Sequence, residues 1–66
     1  MHITVNGKPR TFERGATVRT LLDELRLEPI RAAVEVNEDL VPRRSFDQTV
    51  IRDGDRIEIV TLVGGG

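Results

Sequence analysis

The chain has 66 residues and no cysteine, and its ten basic and eleven acidic residues give a formal net charge of −1. This length allows one small domain, and the lack of cysteine excludes a disulfide framework, a zinc ribbon and thiol chemistry on its side chains. The balanced charge argues against a nucleic-acid partner and against an anionic membrane surface. Because no signal peptide or membrane-spanning stretch is recognisable, we expect a cytoplasmic protein.

The first part of the chain has the pattern of a β-hairpin. Ile3 and Val5 alternate with polar residues, which predicts a strand over 2–6 with one apolar face. Asn6-Gly7 is the strongest short signal for a two-residue hairpin turn, because both residues tolerate a positive φ. The returning strand is predicted over 10–14, centred on Phe12.

A short amphipathic helix is predicted after the hairpin. Thr17 is a good helix N-cap residue, and Pro29 is predicted to end the helix, because proline lacks a backbone N–H and disfavours helical geometry in the residue before it. The apolar residues between them have the spacing of one helical face: Val18, Leu21, Leu22 and Leu25.

The middle of the chain predicts two more strands and a turn. Alternation over 32–37 predicts a third strand, and Leu40-Val41 predicts a short fourth one before Pro42. Phe46 is predicted to fill the underside of the core from a turn over 43–48. The basic pair Arg43-Arg44 within this turn is interpreted as part of a solvated loop.

The last strand is predicted over 55–62, after the turn signal Asp53-Gly54-Asp55. Its alternation directs Ile57 and Ile59 to the core and directs Glu58, Val60 and Leu62 to the opposite face. Val60 and Leu62 are therefore expected to be exposed apolar residues. Such residues suit docking on a partner protein.

The order of the elements predicts an α+β fold of the β-grasp (ubiquitin-like) type. In this arrangement a mixed sheet of four to five strands has one helix packed across one face. We expect a single domain over 1–66 with a flexible glycine tail over 63–66. Besides the helix face, the predicted core contains Ile3, Val5, Phe12, Val34, Val36, Ile57 and Ile59.

Catalysis by side chains and metal binding are poorly supported by the sequence. His2 is the only histidine, and no catalytic partner can be named for it, so it is interpreted as a surface residue of the first strand. The acidic pairs Glu38-Asp39 and Asp53/Asp55 lie in predicted turns, without the ligand spacing of a calcium loop. We therefore expect no metal site.

The sequence Val63-Gly64-Gly65-Gly66 suggests a chemical role for the tail. Glycine has no Cβ, so such a tail fits a narrow active-site channel, and Gly66 offers an α-carboxylate. Adenylation by ATP would turn this carboxylate into an acyl-adenylate, which a sulfur or amine nucleophile of a partner can attack. The tail is therefore the predicted functional site.

Along its whole length the chain resembles the β-grasp sulfur carriers of the ThiS family. The segment Val36-Asn37-Glu38 with Val41-Pro42-Arg43 resembles ThiS rather than its molybdopterin-synthase relative MoaD. Further similarity lies in the first strand with Gly7, in Thr17-Val18 and Leu21-Leu22, in Asp53-Gly54-Asp55 before Ile57, and in Gly65-Gly66.

The resemblance implies a carrier that is acted on by enzymes and binds no cofactor itself. A ThiF-like adenylyltransferase would adenylate Gly66 with ATP, and a persulfide sulfur donor would then convert it to a thiocarboxylate. The thiocarboxylate would donate sulfur to thiazole synthase (ThiG) for the thiazole of thiamine. By position, Gly65 and Gly66 would be the functional end, and the segment that docks and threads into partners would contain Val60, Leu62, Val63 and Gly64.

The tail also fits three other functions. A ubiquitin-like modifier would join the Gly66 carboxylate to lysines of other proteins through the same acyl-adenylate. A related sulfur carrier would serve tRNA thiolation or molybdopterin synthesis, and growth rescue by thiamine or by molybdenum cofactor would separate these pathways. A passive interaction module would keep its function after removal of Gly65-Gly66.

Overall fold

The computed structural model describes residues 1–62; the predicted tail over 63–66 lies outside them. The described residues form five strands, one α-helix and two short 3₁₀ helices. In chain order the elements are β1 (His2–Val5), β2 (Lys8–Thr11), α1 (Val18–Glu24), a 3₁₀ helix (Pro29–Arg31), β3 (Ala32–Val36), β4 (Asp39–Val41), a second 3₁₀ helix (Arg43–Ser45) and β5 (Arg56–Thr61).

The five strands form one mixed sheet in the order β2-β1-β5-β3-β4. The central strand β5 is parallel to β1 and antiparallel to β3, while β1–β2 and β3–β4 are antiparallel hairpins. Helix α1 contributes its buried residues to the same core as the strands. This confirms the predicted β-grasp arrangement of a mixed sheet with one helix on one face.

The core lies between α1 and the sheet. Phe46 is 3% exposed and lies in it as predicted, directly after the second 3₁₀ helix. Val36 and Leu25 are only partly buried, at the edge of the core. The most fully buried side chains each stabilise the fold by about 1.5–3 kcal/mol; they are Val18, Leu21, Leu22, Val34, Ile51 and Ile57.

The first hairpin turn forms as predicted, but the prediction for the second strand was wrong. Asn6 and Gly7 have φ values of 51° and 81°, as a type I′ turn requires. A two-residue turn places Val5 directly opposite Lys8, so β2 begins at Lys8 instead of residue 10. Phe12 therefore lies beyond the end of β2, where it is still buried.

The helix begins where it was predicted to begin. The Thr17 side chain accepts a hydrogen bond from the backbone N–H of Thr20 at 3.2 Å. The Thr20 hydroxyl in turn lies 3.4 Å from the backbone nitrogen of Thr17. This reciprocal capping box satisfies backbone N–H groups that have no partner within the helix.

The predicted helix end was wrong, because the helix stops at Glu24 and Pro29 instead begins a 3₁₀ helix. Arg26 turns the chain with a φ of 60°. The N–H of Leu27 donates to the Leu22 carbonyl at 2.9 Å and the N–H of Arg26 to the Asp23 carbonyl at 3.0 Å. These two bonds form a Schellman motif with arginine where glycine is usual.

The predicted ends of four strands differ from the observed ends by one residue, and β4 begins at Asp39 instead of Leu40. The strand predictions extended to Asn6 and Asn37, but both residues lie in turns with positive φ. Asn37 and Glu38, with φ values of 53° and 73°, form a second type I′ turn between β3 and β4. Strand β5 covers Arg56–Thr61. No helix within residues 1–62 is long and apolar enough to cross a membrane.

Candidate functional site

Strand β5 connects the centre of the sheet with the predicted tail. Ile57 and Ile59 are buried under α1, whereas Val60 and Leu62 are 64% and 63% exposed. This confirms the predicted alternation and the exposure of both apolar residues. The other predicted site residues, Val63, Gly64, Gly65 and Gly66, lie outside the described residues.

Val60 belongs to the side of the sheet that faces away from α1. On this side Val60 lies opposite Ala33, and Glu35 lies opposite both Glu58 and Leu40. We call these five residues (Ala33, Glu35, Leu40, Glu58 and Val60) the free face; all are exposed. Leu40 was not predicted as a site residue, although its alternation with the buried Val41 indicates an outward side chain.

A second exposed apolar residue lies next to the end of β5. The N–H of Leu62 donates a hydrogen bond to the carbonyl of Arg31 at 2.7 Å. The neighbouring Ile30 is 67% exposed, although isoleucine is usually buried. Ile30 could not be predicted as a site residue, because no local sequence pattern indicates that Pro29–Arg31 is hydrogen-bonded to Leu62.

Arg43 holds the backbone of this same segment. Its Nε donates to the Pro29 carbonyl and its Nη2 to the Ile30 carbonyl, both at 3.1 Å. Within residues 1–62 the side chain of the adjacent Arg44 is exposed and makes neither a hydrogen bond nor an ion pair. The interpretation of Arg43-Arg44 as a solvated loop therefore applies to Arg44, while Arg43 joins two segments of the fold.

Two asparagine side chains hold β5 from its two sides. Asn6 donates from Nδ2 to the carbonyl of Ile59 at 3.1 Å and accepts from the N–H of Ile59 at Oδ1, at 2.7 Å. On the other side, Oδ1 of Asn37 accepts from the N–H of Arg56 at 2.9 Å. Each amide continues the backbone ladder past the end of a strand, so β5 is positioned along most of its length.

His2 and Asp53 lie together at the opposite end of β5 from Leu62. The backbone N–H of His2 donates to Asp53 Oδ1 at 2.7 Å, and the N–H of Gly54 donates to the His2 carbonyl. The bond from His2 lowers the pKa of Asp53, because it stabilises the carboxylate, and the positive charges of the chain's amino terminus and of Arg14 act in the same direction. This pair stabilises the turn before β5.

The described side chains do not form a catalytic or metal-binding cluster. In residues 1–62 no three histidine, cysteine, aspartate or glutamate residues are placed to hold a metal ion. His2 is exposed on β1, as predicted. What the described part offers is a set of exposed apolar side chains on or beside the free face, next to the carboxylates of Glu35 and Glu58; they are Ile30, Leu40, Val60 and Leu62.

Comparison with known proteins identifies the family. The model of the ThiS family matches residues 3–66. The crystal structure of a thiamine biosynthesis protein (ThiS) from Geobacter metallireducens is similar over the full length of both chains, with a TM-score of 0.84 and 38% sequence identity. The likeness therefore includes both the fold and the sequence.

Relatives of two lengths match this chain. The sulfur carrier protein ThiS of Escherichia coli is 33% identical over the full length of both chains. A thiazole synthase of Paramagnetospirillum magneticum is 42% identical over all 66 residues, but the chain spans only 20% of that protein. The chain therefore belongs to the ThiS family, and it is a sulfur carrier of thiamine biosynthesis rather than an enzyme.

Proposed function

We propose that this carrier transports sulfur on the carboxylate of Gly66. A ThiF-like adenylyltransferase uses ATP to convert the carboxylate to an acyl-adenylate, and pyrophosphate is released. The terminal sulfur of a persulfide donor then displaces AMP to form an acyl disulfide. A thiol reductant cleaves its S–S bond, which leaves the C-terminal thiocarboxylate and a disulfide between the donor and the reductant. The observation that supports this proposal best is the family match, which extends through Gly65 and Gly66 and thus includes the tail.

The composition of the chain suits this chemistry. Glycine at 64–66 leaves the acyl carbon uncrowded and lets the tail extend through a narrow channel. The chain has no cysteine, so no thiol of its own competes for the activated acyl group. A side chain at position 65 or 66 should therefore hinder activation more than one on the folded domain.

The thiazole synthase relatives support thiazole synthase (ThiG) as the acceptor of the sulfur. In the proteins of Paramagnetospirillum magneticum and Magnetococcus marinus, the matching segment makes up 20% of a longer protein that is named thiazole synthase. A carrier segment within the same polypeptide as a synthase would work at a high effective concentration. We infer that this chain delivers its sulfur to a ThiG-like enzyme.

Val60 and Leu62 are proposed to dock on these partners. Both are apolar and more than 60% exposed, and they directly precede the tail in the sequence. Burying an exposed valine and leucine against a partner would stabilise the complex by the hydrophobic effect. It would also place Gly66 within a few residues of the contact.

Intact-protein mass spectrometry tests the proposal directly. The chain is incubated with ATP, a ThiF-like enzyme, a persulfide source and a thiol reductant, and a gain of about 16 Da, from oxygen exchanged for sulfur, is expected. Removal of Gly65-Gly66 should abolish the gain. An active enzyme that leaves the terminus unmodified would contradict the proposal, and adducts on lysines of other proteins would instead indicate a modifier.

A matched pair of valine variants tests the docking residue. Val60→Ser should slow thiocarboxylate formation about fivefold, as expected for a residue that contributes to an interface. Val50→Ser is the control, because Val50 is 48% exposed but lies beside Thr17, away from the free face. Equal rates for the two variants would exclude Val60 from the interface.

A further inference from the structure

Arg43 makes an unusual contact for an exposed arginine, because it binds two successive carbonyl groups. The Pro29 and Ile30 oxygens each lie 3.1 Å from its guanidinium nitrogens. A guanidinium is planar and has five donors in a fixed fork, so it can hold two acceptors in one geometry. Arg43 thereby fixes Pro29–Arg31 relative to the turn that follows β4.

The next carbonyl of the same segment binds the end of β5. The oxygen of Arg31 accepts the hydrogen bond from Leu62, which is the last described residue. Of three successive carbonyls, those of residues 29 and 30 therefore bind Arg43, and that of residue 31 binds Leu62, the residue before the tail. The path consists of two side-chain bonds and one backbone bond.

Core packing does not account for the position of this segment. None of the residues Pro29–Arg31 is buried. The Arg31 carbonyl nevertheless accepts a hydrogen bond from the exposed Leu62, and the exposed Ile30 directly precedes Arg31. A segment without buried side chains depends on its hydrogen bonds for order. The two bonds from Arg43 add to the bond from the Arg31 N–H to the Glu28 carbonyl, so they contribute to how firmly Ile30 and, through Arg31, Leu62 are held.

We propose that Arg43 is a positioning residue for the C-terminal tail. Through Pro29–Arg31 it fixes Leu62 and Ile30, so that the activating enzyme meets an ordered apolar surface and a fixed starting point for the tail. Ordering these residues before binding removes part of the entropy cost of docking. The inference rests on the proposed function for its partner, whereas the contact itself belongs to the free carrier.

Amide hydrogen exchange measured by NMR tests the effect on the free carrier. Arg43→Ala should raise the exchange rate of the Leu62 amide about tenfold, as expected when charge-assisted hydrogen bonds are lost. The amide of Glu58, further from the end of β5, should stay unchanged. Arg44→Ala is the control and should change neither amide.

The activation assay then tests the effect on function. Arg43→Ala should raise the apparent KM for the carrier about fivefold and leave kcat nearly unchanged. The reason is that Ile30 and Leu62 would then lose conformational entropy when the carrier binds the enzyme. Arg43→Lys, which keeps the charge but loses the fork, should lie between Arg43→Ala and the unmodified carrier. Urea unfolding of each variant separates this effect from a general loss of stability.

Two results would overturn the inference. One is an Arg43→Ala carrier whose Leu62 amide exchanges at the original rate. The other is a carrier with faster Leu62 exchange but an unchanged KM. Failure of the proposed function has a different signature, because the unmodified carrier would then form no thiocarboxylate with any enzyme, while the exchange result would still decide whether Arg43 holds Leu62.

Discussion

The turn after β1 and the turn after β3 have the same type I′ geometry, yet they hold β5 in different surroundings. Asn6-Gly7 precedes β2, and Asn37-Glu38 precedes β4. In both turns the asparagine side chain binds the backbone of β5. The bonds of Asn6 to Ile59 are partly buried, whereas those of Asn37 are exposed.

The comparison indicates that one asparagine can both make a turn and close a sheet. Its backbone supplies the positive φ, and its amide supplies a donor and an acceptor that imitate a peptide group. Where the bonds are partly buried, water cannot replace them, so their loss costs more than the loss of exposed bonds. The two turns therefore contribute differently to the free energy of unfolding, although their backbone geometry is the same.

Replacing each asparagine with glycine isolates the side-chain bonds, because glycine keeps the turn conformation. Asn6→Gly should lower the free energy of unfolding by about 2 kcal/mol, since the N–H and carbonyl of Ile59 lose their partner in a partly buried place. Asn37→Gly should lower it by about 1 kcal/mol, because water can reach Arg56 and Asp55. Urea unfolding measures both, and equal losses would show that burial does not set the difference.

The second residue is Gly7 in one turn and Glu38 in the other. Substitutions at these two positions should change the free energy of unfolding in opposite directions. Glu38 has a φ of 73°, which strains a residue with a Cβ, so Glu38→Gly should raise the free energy of unfolding by about 0.5–1 kcal/mol. Gly7→Ala should lower it by about 1 kcal/mol, for conformational reasons alone, since a Cβ at Gly7 would have no atom within 4 Å.

Glu38→Gly also removes an ion pair, and this loss opposes the gain from relieving backbone strain. Glu38 lies 3.8 Å from Arg56, and both side chains are exposed, so the pair contributes little. Glu38→Gln removes the charge and keeps the Cβ, which makes it the matched control. A loss of stability in Glu38→Gly that Glu38→Gln reproduces would assign the effect to the ion pair instead of the backbone.

Asp53 should make the smallest of these contributions to the free energy of unfolding, and its contribution should depend on pH. Its pKa in the folded chain lies below the ordinary value of 3.8, mainly because of the bond from His2. The contribution is therefore fully present above that value and is lost as the pH falls through the lowered folded pKa. Asp53→Asn should flatten the acid side of the stability profile, measured by urea unfolding from neutral pH downwards. If the free energy of unfolding falls as steeply at acid pH in Asp53→Asn, the pH dependence comes from other carboxylates.

The sequence predicted those features of the fold that depend on local patterns. Alternation located β1, β3 and β5, Asn6-Gly7 located a turn, and Thr17 located the start of the helix. The helix end was missed because Arg26 adopts the positive φ for which glycine is the expected signal. The turn at Asn37 was missed for the same reason, since Glu38 takes the place of glycine.

The candidate site could be predicted only where it lies along one strand. Val60 and Leu62 follow from the alternation of β5. Ile30 and Arg43 belong to the surface through contacts between segments that are 13 to 14 residues apart in the sequence, and Arg31 contacts Leu62 across a still longer separation. Such contacts depend on the completed sheet, and hydrophobic periodicity contains no information about them.

The position of β5 also has a consequence for the newly made protein. This strand is the last of the five described strands along the chain but the central one in the sheet. Without it, the hairpins β1–β2 and β3–β4 share no strand pairing. Isolated hairpins are marginally stable in water. A chain whose synthesis stops before Arg56 therefore has no sheet to cover its apolar residues and no tail to activate. Assembly of the domain therefore depends on the strand that is translated last of the five.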